Sequence, residues 1–217
     1  MTFDRRRALL LVISGAAGSG TFGLSLFGST AGSLASSPSG PVSLIQSLNT
    51  ELGDLATRAD GMPLNDRLTE VADLLERYFD LFRVAAGTIG SRRFRDLESG
   101  QQQQFVDRFT TFIVASYVHR LPRFRAERTE VEEARDGPPG FKVVRTYYHS
   151  DNGADPTVID FITMENAATW RIVDMRMDGE FSEFSLRRSE VSSILERDGF
   201  DGLIALLEQR AEELVME

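Results

Sequence analysis

Apolar positions in the middle of the chain recur every three or four residues, then switch to every second residue, then return to the longer period. In PVSLIQSLNTELGDLATRAD the residues Val42, Ile45, Leu48, Leu52 and Leu55 form one stripe, which predicts an amphipathic helix. Leu68, Val71, Leu75 and Tyr78 predict a second helix from about Asn65 to Tyr78, and Gly87 and Gly90 punctuate a shorter one through Phe82 and Ile89. The strongest helical signal is ESGQQQQFVDRFTTFIVASYVHRL, where Phe105, Phe109, Phe112, Ile113, Tyr117 and Leu121 fall at helical spacing before Pro122 stops the run. Beyond Pro122, the segments AERTEVEEARD, FKVVRTYYHS, PTVIDFITME and ATWRIVDMRMD alternate with period two and predict four strands. DGPPG, DNGADP and a short NAA link join them, turn chemistry suited to a meander. Helices then return: LRRSEVSSILER is expected to end at Gly199, and FDGLIALLEQRAEEL to start with Asp201 as its N-cap. Helices, an antiparallel sheet and helices again make an α+β order in one domain.

The first 35 residues follow a different logic. Arg5, Arg6 and Arg7 precede a stretch from Ala8 to Thr50 without a single charged side chain. Its apolar part is diluted by glycine and serine, and Ser33-Leu34-Ala35 offers small residues at a cleavage position. This is the layout of a secretory signal over residues 1–35, leaving a mature domain at 36–217. The three arginines and weak hydrophobicity favour the twin-arginine route, with an uncleaved membrane anchor as the alternative. Gly18-Ser-Gly-Thr-Phe-Gly23 matches a dinucleotide-binding pattern, but no acidic residue follows before Glu51 and no amphipathic helix opens there. The match is coincidental.

Charge and composition narrow the function. The net charge of −9 makes the chain a poor partner for nucleic acid, and loss of the leader would carry it to −11. With no cysteine there are no disulfides, thiolate metal sites or thiol nucleophiles, which suits a periplasmic protein without requiring one. Only His119 and His149 supply imidazole. The first sits near the end of the long helix, a common place for histidine, and the second closes a strand. No G-x-S-x-G occurs, DNGAD lacks the ligand spacing of a calcium loop, and Glu130 with Glu132 reads as charge on an edge strand. No catalytic residue, metal ligand or cofactor site is therefore assigned. Arginine is the default cation, with 23 Arg against the single Lys142, so its clusters read first as surface.

Apolar side chains on facing elements are the abundant resource. Val144, Thr146 and Tyr148 share one strand face; Ile159 with Phe161, and Val173, Met175 and Met177, form similar rows. Periodicity alone does not separate a filled core from a cavity.

Several ordered fragments resemble a known family. They are Tyr78-Phe79-Asp80 with Phe82, Gly87 and Ile89-Gly90; Gln103 through Phe105, Phe109 and Tyr117; Val144-Arg-Thr146; Val158-Ile-Asp-Phe161; Trp170-Arg-Ile-Val-Asp174 with Asp178-Gly179; and Arg188-Ser-Glu190 with Gly199 and Leu203-Ile204. Together, over about residues 65 to 210, the chain is similar to the MlaC, or toluene-tolerance, family of periplasmic phospholipid-binding proteins. Where that family continues G-V-S-L after its W-x-x-x-D strand, this chain has Gly179-Glu-Phe-Ser-Glu-Phe, and FSEFSLRRSE is closer to the branch associated with hopanoid operons. The resemblance implies a twisted four-stranded antiparallel sheet packed by N- and C-terminal helices around an apolar lipid cavity. It implies a carrier of phospholipid, or of a hopanoid-type lipid, exchanging cargo with an inner-membrane ABC transporter complex and an outer-membrane lipoprotein complex, and so maintaining outer-membrane lipid asymmetry. Shielding suits such a role: two acyl chains in water would cost on the order of 25 kcal/mol at about 0.8 kcal/mol per methylene. Expected acyl contacts are Val144, Thr146, Tyr148, Ile159, Phe161, Val173 and Met175 from the sheet and Phe105, Phe109, Phe112 and Tyr117 from the long helix. Were the opposite sheet face to line the cavity, Val143, Tyr147 and Ile172 would replace them. Two other readings remain open: an enzyme with Asp174 or His149 as its acid/base group, and a structural adaptor with a filled core.

Overall fold

A computed structural model describes residues 40–125, 128–149, 155–167, 169–177 and 181–216, all within one compact unit. The expected leader at 1–35 lies outside the described residues. Helix α1 spans Pro41–Arg58, α2 Leu64–Tyr78, α3 Leu81–Ile89, α4 Ser91–Asp96 and α5 Ser99–Arg120. Strands β1 Arg128–Val131, β2 Arg135–Asp136, β3 Phe141–His149, β4 Thr157–Asn166, β5 Thr169–Met177 and β6 Phe181–Ser182 follow, and α6 covers Glu183–Met216.

Local chemistry accounts for the helix boundaries. Pro41 takes the first turn of α1, where its missing N–H costs nothing, and Ser43 Oγ accepts from the Gly40 N–H at 3.1 Å. Asp80 caps α3 by accepting the Arg83 N–H at 2.9 Å. The α5 sequence was expected to bury one stripe, but Val114, Ala115, Ser116 and Val118 are buried as well. The helix packs on α2, α3 and α6 at once, so its C-terminal half is enclosed on nearly every side.

The sheet is antiparallel, in the order β1-β3-β4-β5-β6, with β2 also on β3. The expected first strand is broken: β1 and β2 both pair with β3, and between them the Glu132 N–H still reaches the Arg145 carbonyl at 2.9 Å. With β6 added, the described residues form six strands where the sequence pattern suggested four. Val144 opposes Phe161 and Thr146 opposes Ile159, so these four share the face covered by α1. Between β4 and β5 the register shifts: Ile162 faces Asp174 but Thr163 faces Ile172, leaving Val173 without a partner. That bulge interrupts the expected Val173–Met175 row. Fully buried Ile172 joins Phe161 and Val144 in the core, and Val173 is only half-buried.

The first C-terminal helix ends at Gly199 as expected, but the start of the second differs. Gly199 alone leaves helical geometry (φ 72°, ψ −171°), so two arms meet there and Asp201 lies inside the second arm instead of capping it. Gly202 has no room for a side chain, because a Cβ would fall 2.4 Å from Asp198 Cβ.

Candidate functional site

The expected contact residues fall into two groups within one continuous apolar core. The first covers the inner sheet face: Val144, Thr146 and Phe161 are buried, and Tyr148, Ile159 and Met175 are half-buried and, apart from Thr146's polar hydroxyl, all belong to or pack against the core. Tyr117 is the member of α5 that reaches this face, its hydroxyl 3.6 Å from Met175 Sδ. Its ring meets Phe79 edge-on at 6.2 Å and stacks with Phe124 at 5.6 Å.

The second group lies among helices. Phe105 and Phe109 stack at 5.8 Å, with Phe94 edge-on to Phe105 at 6.5 Å. Phe109 and Phe112 help line a cavity between α5 and both arms of α6, completed by Val191, Ile194, Leu203 and Leu207. Glu190 and Arg210, paired at 2.6 Å, are its polar lining. The cavity holds about 20 Å³, room for roughly one water. A ligand pocket for a drug-sized molecule is about 300–1,000 Å³, so this cavity does not admit one in this conformation.

The inner face carries a polar island. Tyr148 donates its hydroxyl to Asn49 Oδ1 on α1 at 2.7 Å. Asn49 Nδ2 and Thr146 Oγ1 are buried with no partner among the described residues. Burial pushes the Tyr148 hydroxyl well above its usual range, with the neighbouring Tyr117 adding to it, so Tyr148 stays neutral and remains a donor. Sequence alternation singled out Thr146 and Tyr148 as lining residues but not Asn49, whose helical stripe was otherwise aliphatic.

The opposite face is ionic. Asp160, 3% exposed, accepts from Arg145 at 2.7 and 2.9 Å and from Arg135 at 2.5 Å. Tyr147 donates to Glu132 at 2.7 Å on this side, so Tyr147 and Val143 do not face the helices, whereas Ile172 does, because of the bulge. His149 sits at the far end, its Nε2 3.1 Å from Arg128 Nη2 and 3.7 Å from Glu130. Asp174 lies level with Val143, six residues along β3 from His149, a separation of about 20 Å. The two do not form an acid–base dyad.

The model of the MlaC protein family matches residues 46–209. The chain belongs to the MlaC family. A solved phospholipid-binding protein from Ralstonia solanacearum, in complex with a phospholipid, has the same fold, with a TM-score of 0.68 at 20% identity over 80% of this chain and 97% of that one. No curated protein matches the chain. The MlaC-like junction Tyr78-Phe79-Asp80 has a legible structural job. Tyr78 donates to Glu51 at 2.6 Å, Phe79 bridges to Ile172, and the Asp80 N–H reaches the Ile172 carbonyl at 2.9 Å. The motif thereby ties α2 and α3 to the bulge in β5. No described helix is long and apolar enough to cross a membrane.

Proposed function

We propose that this protein is a periplasmic lipid carrier and not an enzyme, binding a two-chain phospholipid non-covalently and passing it between membrane complexes. The observation that carries the reading is membership of the MlaC family together with a continuous apolar interior between the inner sheet face and the helices. The fold shared with a phospholipid-bound protein supports it. Acyl chains would contact Val144, Ile159, Phe161, Met175 and Tyr117, where the sheet meets α5, with Thr146 and Tyr148 nearer the polar island; Phe105, Phe109, Phe112 and Val173 would border them. Binding would exchange packing between protein side chains for packing against methylenes, which needs no covalent step. Export through residues 1–35, and hand-over between an inner-membrane ABC transporter complex and an outer-membrane lipoprotein complex to maintain lipid asymmetry, complete the proposal.

A second reading, a structural adaptor, draws on the small size of the described cavity, about 20 Å³. Native mass spectrometry of protein from a periplasmic extract, followed by lipid extraction, separates the two. Phospholipid near one per chain is expected. A hopanoid-type lipid would keep the carrier and change its cargo. Bare protein that still refuses lipid from phospholipid vesicles would sink the carrier and leave the adaptor.

A further inference from the structure

Three side chains on the inner sheet face run from rim to floor along β3: Tyr148, half-buried, then Thr146 and Val144, each fully buried. Each step is about 7 Å. Polarity falls along the same path, from phenol to hydroxyl to hydrocarbon. Asn49, 9% exposed, faces the upper half of this path from α1 and is held by the Tyr148 hydroxyl on its Oδ1. Among the described residues two hydrogen-bonding groups stay unmatched there, Asn49 Nδ2 and Thr146 Oγ1. A buried donor without a partner is costly, and a hydrophobic residue of the same shape would avoid that cost at either position. Their neighbours along the face, Val144, Ile159 and Phe161, offer no hydrogen bond.

The unmatched groups have a chemical signature. Asn49 Nδ2 can only donate, and Thr146 Oγ1 can donate to an acceptor that has no proton of its own. Both call for an acceptor, and an uncharged acceptor that leads directly into hydrocarbon is what the carbonyl of a carboxylic ester supplies. A phosphate would bring charge to a place where, among the described residues, no cation pairs with Asn49, Thr146 or Tyr148, and a hydrocarbon polycycle would bring no acceptor.

We propose that Asn49 and Thr146 form an ester-recognition subsite, which makes the cargo an ester-linked acyl lipid with its carbonyl at the polar island and its chain running over Val144, Phe161 and Met175. The inference rests on the carrier reading above and names the lipid linkage it selects.

Two lipids with one headgroup test it: dioleoyl phosphatidylglycerol and its dioleyl ether analogue, which lacks the carbonyls. The wild-type protein, stripped of lipid and offered vesicles of each, is expected to take the ester lipid about five- to tenfold more tightly, the size of one or two neutral hydrogen bonds. Thr146→Val and the double variant Asn49→Leu/Tyr148→Phe, which also removes the hydroxyl that would lose its acceptor, should bring that ratio towards one. Thr146→Val is isosteric and removes an unmatched group, so folding is not at risk. As a second measurement, infrared spectra of bound lipid with carbon-13 carbonyls should show a hydrogen-bonded stretch that Thr146→Val shifts to higher frequency. Equal wild-type affinity for the two lipids, or a preference that survives in both variants, overturns the ester subsite alone. Wild-type protein that takes up neither lipid overturns the carrier reading and the subsite with it.

Discussion

Glu190 and Arg210 stand twenty positions apart in one helical segment, yet their side chains pair at 2.6 Å. A straight helix would separate them by about 30 Å. The chain therefore reverses between them, and Gly199 is the residue outside helical geometry. The reversal brings Val191 and Ile194 of one arm opposite Leu203 and Leu207 of the other, closing the cavity against Phe109 and Phe112. Arg93 to Glu196 at 2.6 Å and Arg108 to Glu208 at 2.7 Å tie the two arms to α4 and α5 respectively. Each of these pairs is substantially exposed and contributes at most about 1 kcal/mol, so the apolar contacts decide the hairpin.

Gly199→Ala is expected to destabilise the protein by about 1–3 kcal/mol, because its φ and ψ lie in a region open essentially to glycine. No atom lies within 4 Å of the added Cβ, so the whole cost is torsional. Gly87→Ala, at an exposed helical site with the same open space, should instead stabilise by roughly 0.5–1 kcal/mol. Urea unfolding of both variants checks the contrast; equal effects would remove the torsional account of the hairpin.

The bulge in β5 makes neighbouring residues unequal. Ile172→Ala should cost about 2–5 kcal/mol, since Ile172 is fully buried in the core. Val173→Ala should cost under about 1.5 kcal/mol, because Val173 is half-buried at the register shift. The reverse order in thermal unfolding would restore simple alternation.

Asp160 governs the acid limb of stability. Burial alone would raise its pKa, but the guanidiniums of Arg145 and Arg135 outweigh burial and hold the carboxyl below its ordinary range. A pKa lower in the folded state means the contribution is complete above the unfolded value of roughly 3.9 and disappears as pH falls through the folded value. Asp160→Asn should lose about 1.5–3 kcal/mol at neutral pH and show a shallower decline below pH 4. Parallel acid titrations of wild type and variant would argue against this if their slopes matched.

Tyr148 and Tyr78 govern the alkaline limb. Burial raises both hydroxyls, reinforced at Tyr78 by its hydrogen bond to Glu51 and at Tyr148 by Tyr117. Their contribution is therefore complete below the unfolded value near 10 and is lost as pH rises through the folded values. Tyr148→Phe should cost about 1–2 kcal/mol at neutral pH, leaving Asn49 Oδ1 unpaired, and should soften the decline above pH 10. Circular dichroism against pH measures both; an unchanged alkaline slope would mean that Tyr148 ionises freely.

The amino-acid sequence by itself determined the element types and most of their limits. Spacings of three and four from Val42 to Leu55 and from Phe105 to Leu121, and alternation from Phe141 to His149, follow from geometry within a few residues, so the helices α1 and α5 and the strand β3 were legible. The inner row Val144–Thr146–Tyr148 was legible for the same reason. Tertiary structure alone decided what depends on partners distant in sequence. The shift beside Ile162 exchanged Val173 for Ile172, because register is set by the opposing strand and its tie to Phe79. Helices on several sides of α5 divided its aromatic residues, giving Tyr117 to the sheet and Phe105, Phe109 and Phe112 to the helices. Asn49 joined the polar island on the inner face only because α1 crosses the sheet where Tyr148 can reach it, at 2.7 Å across 99 positions of chain. Local periodicity places a side chain on a face, and only packing chooses what that face meets.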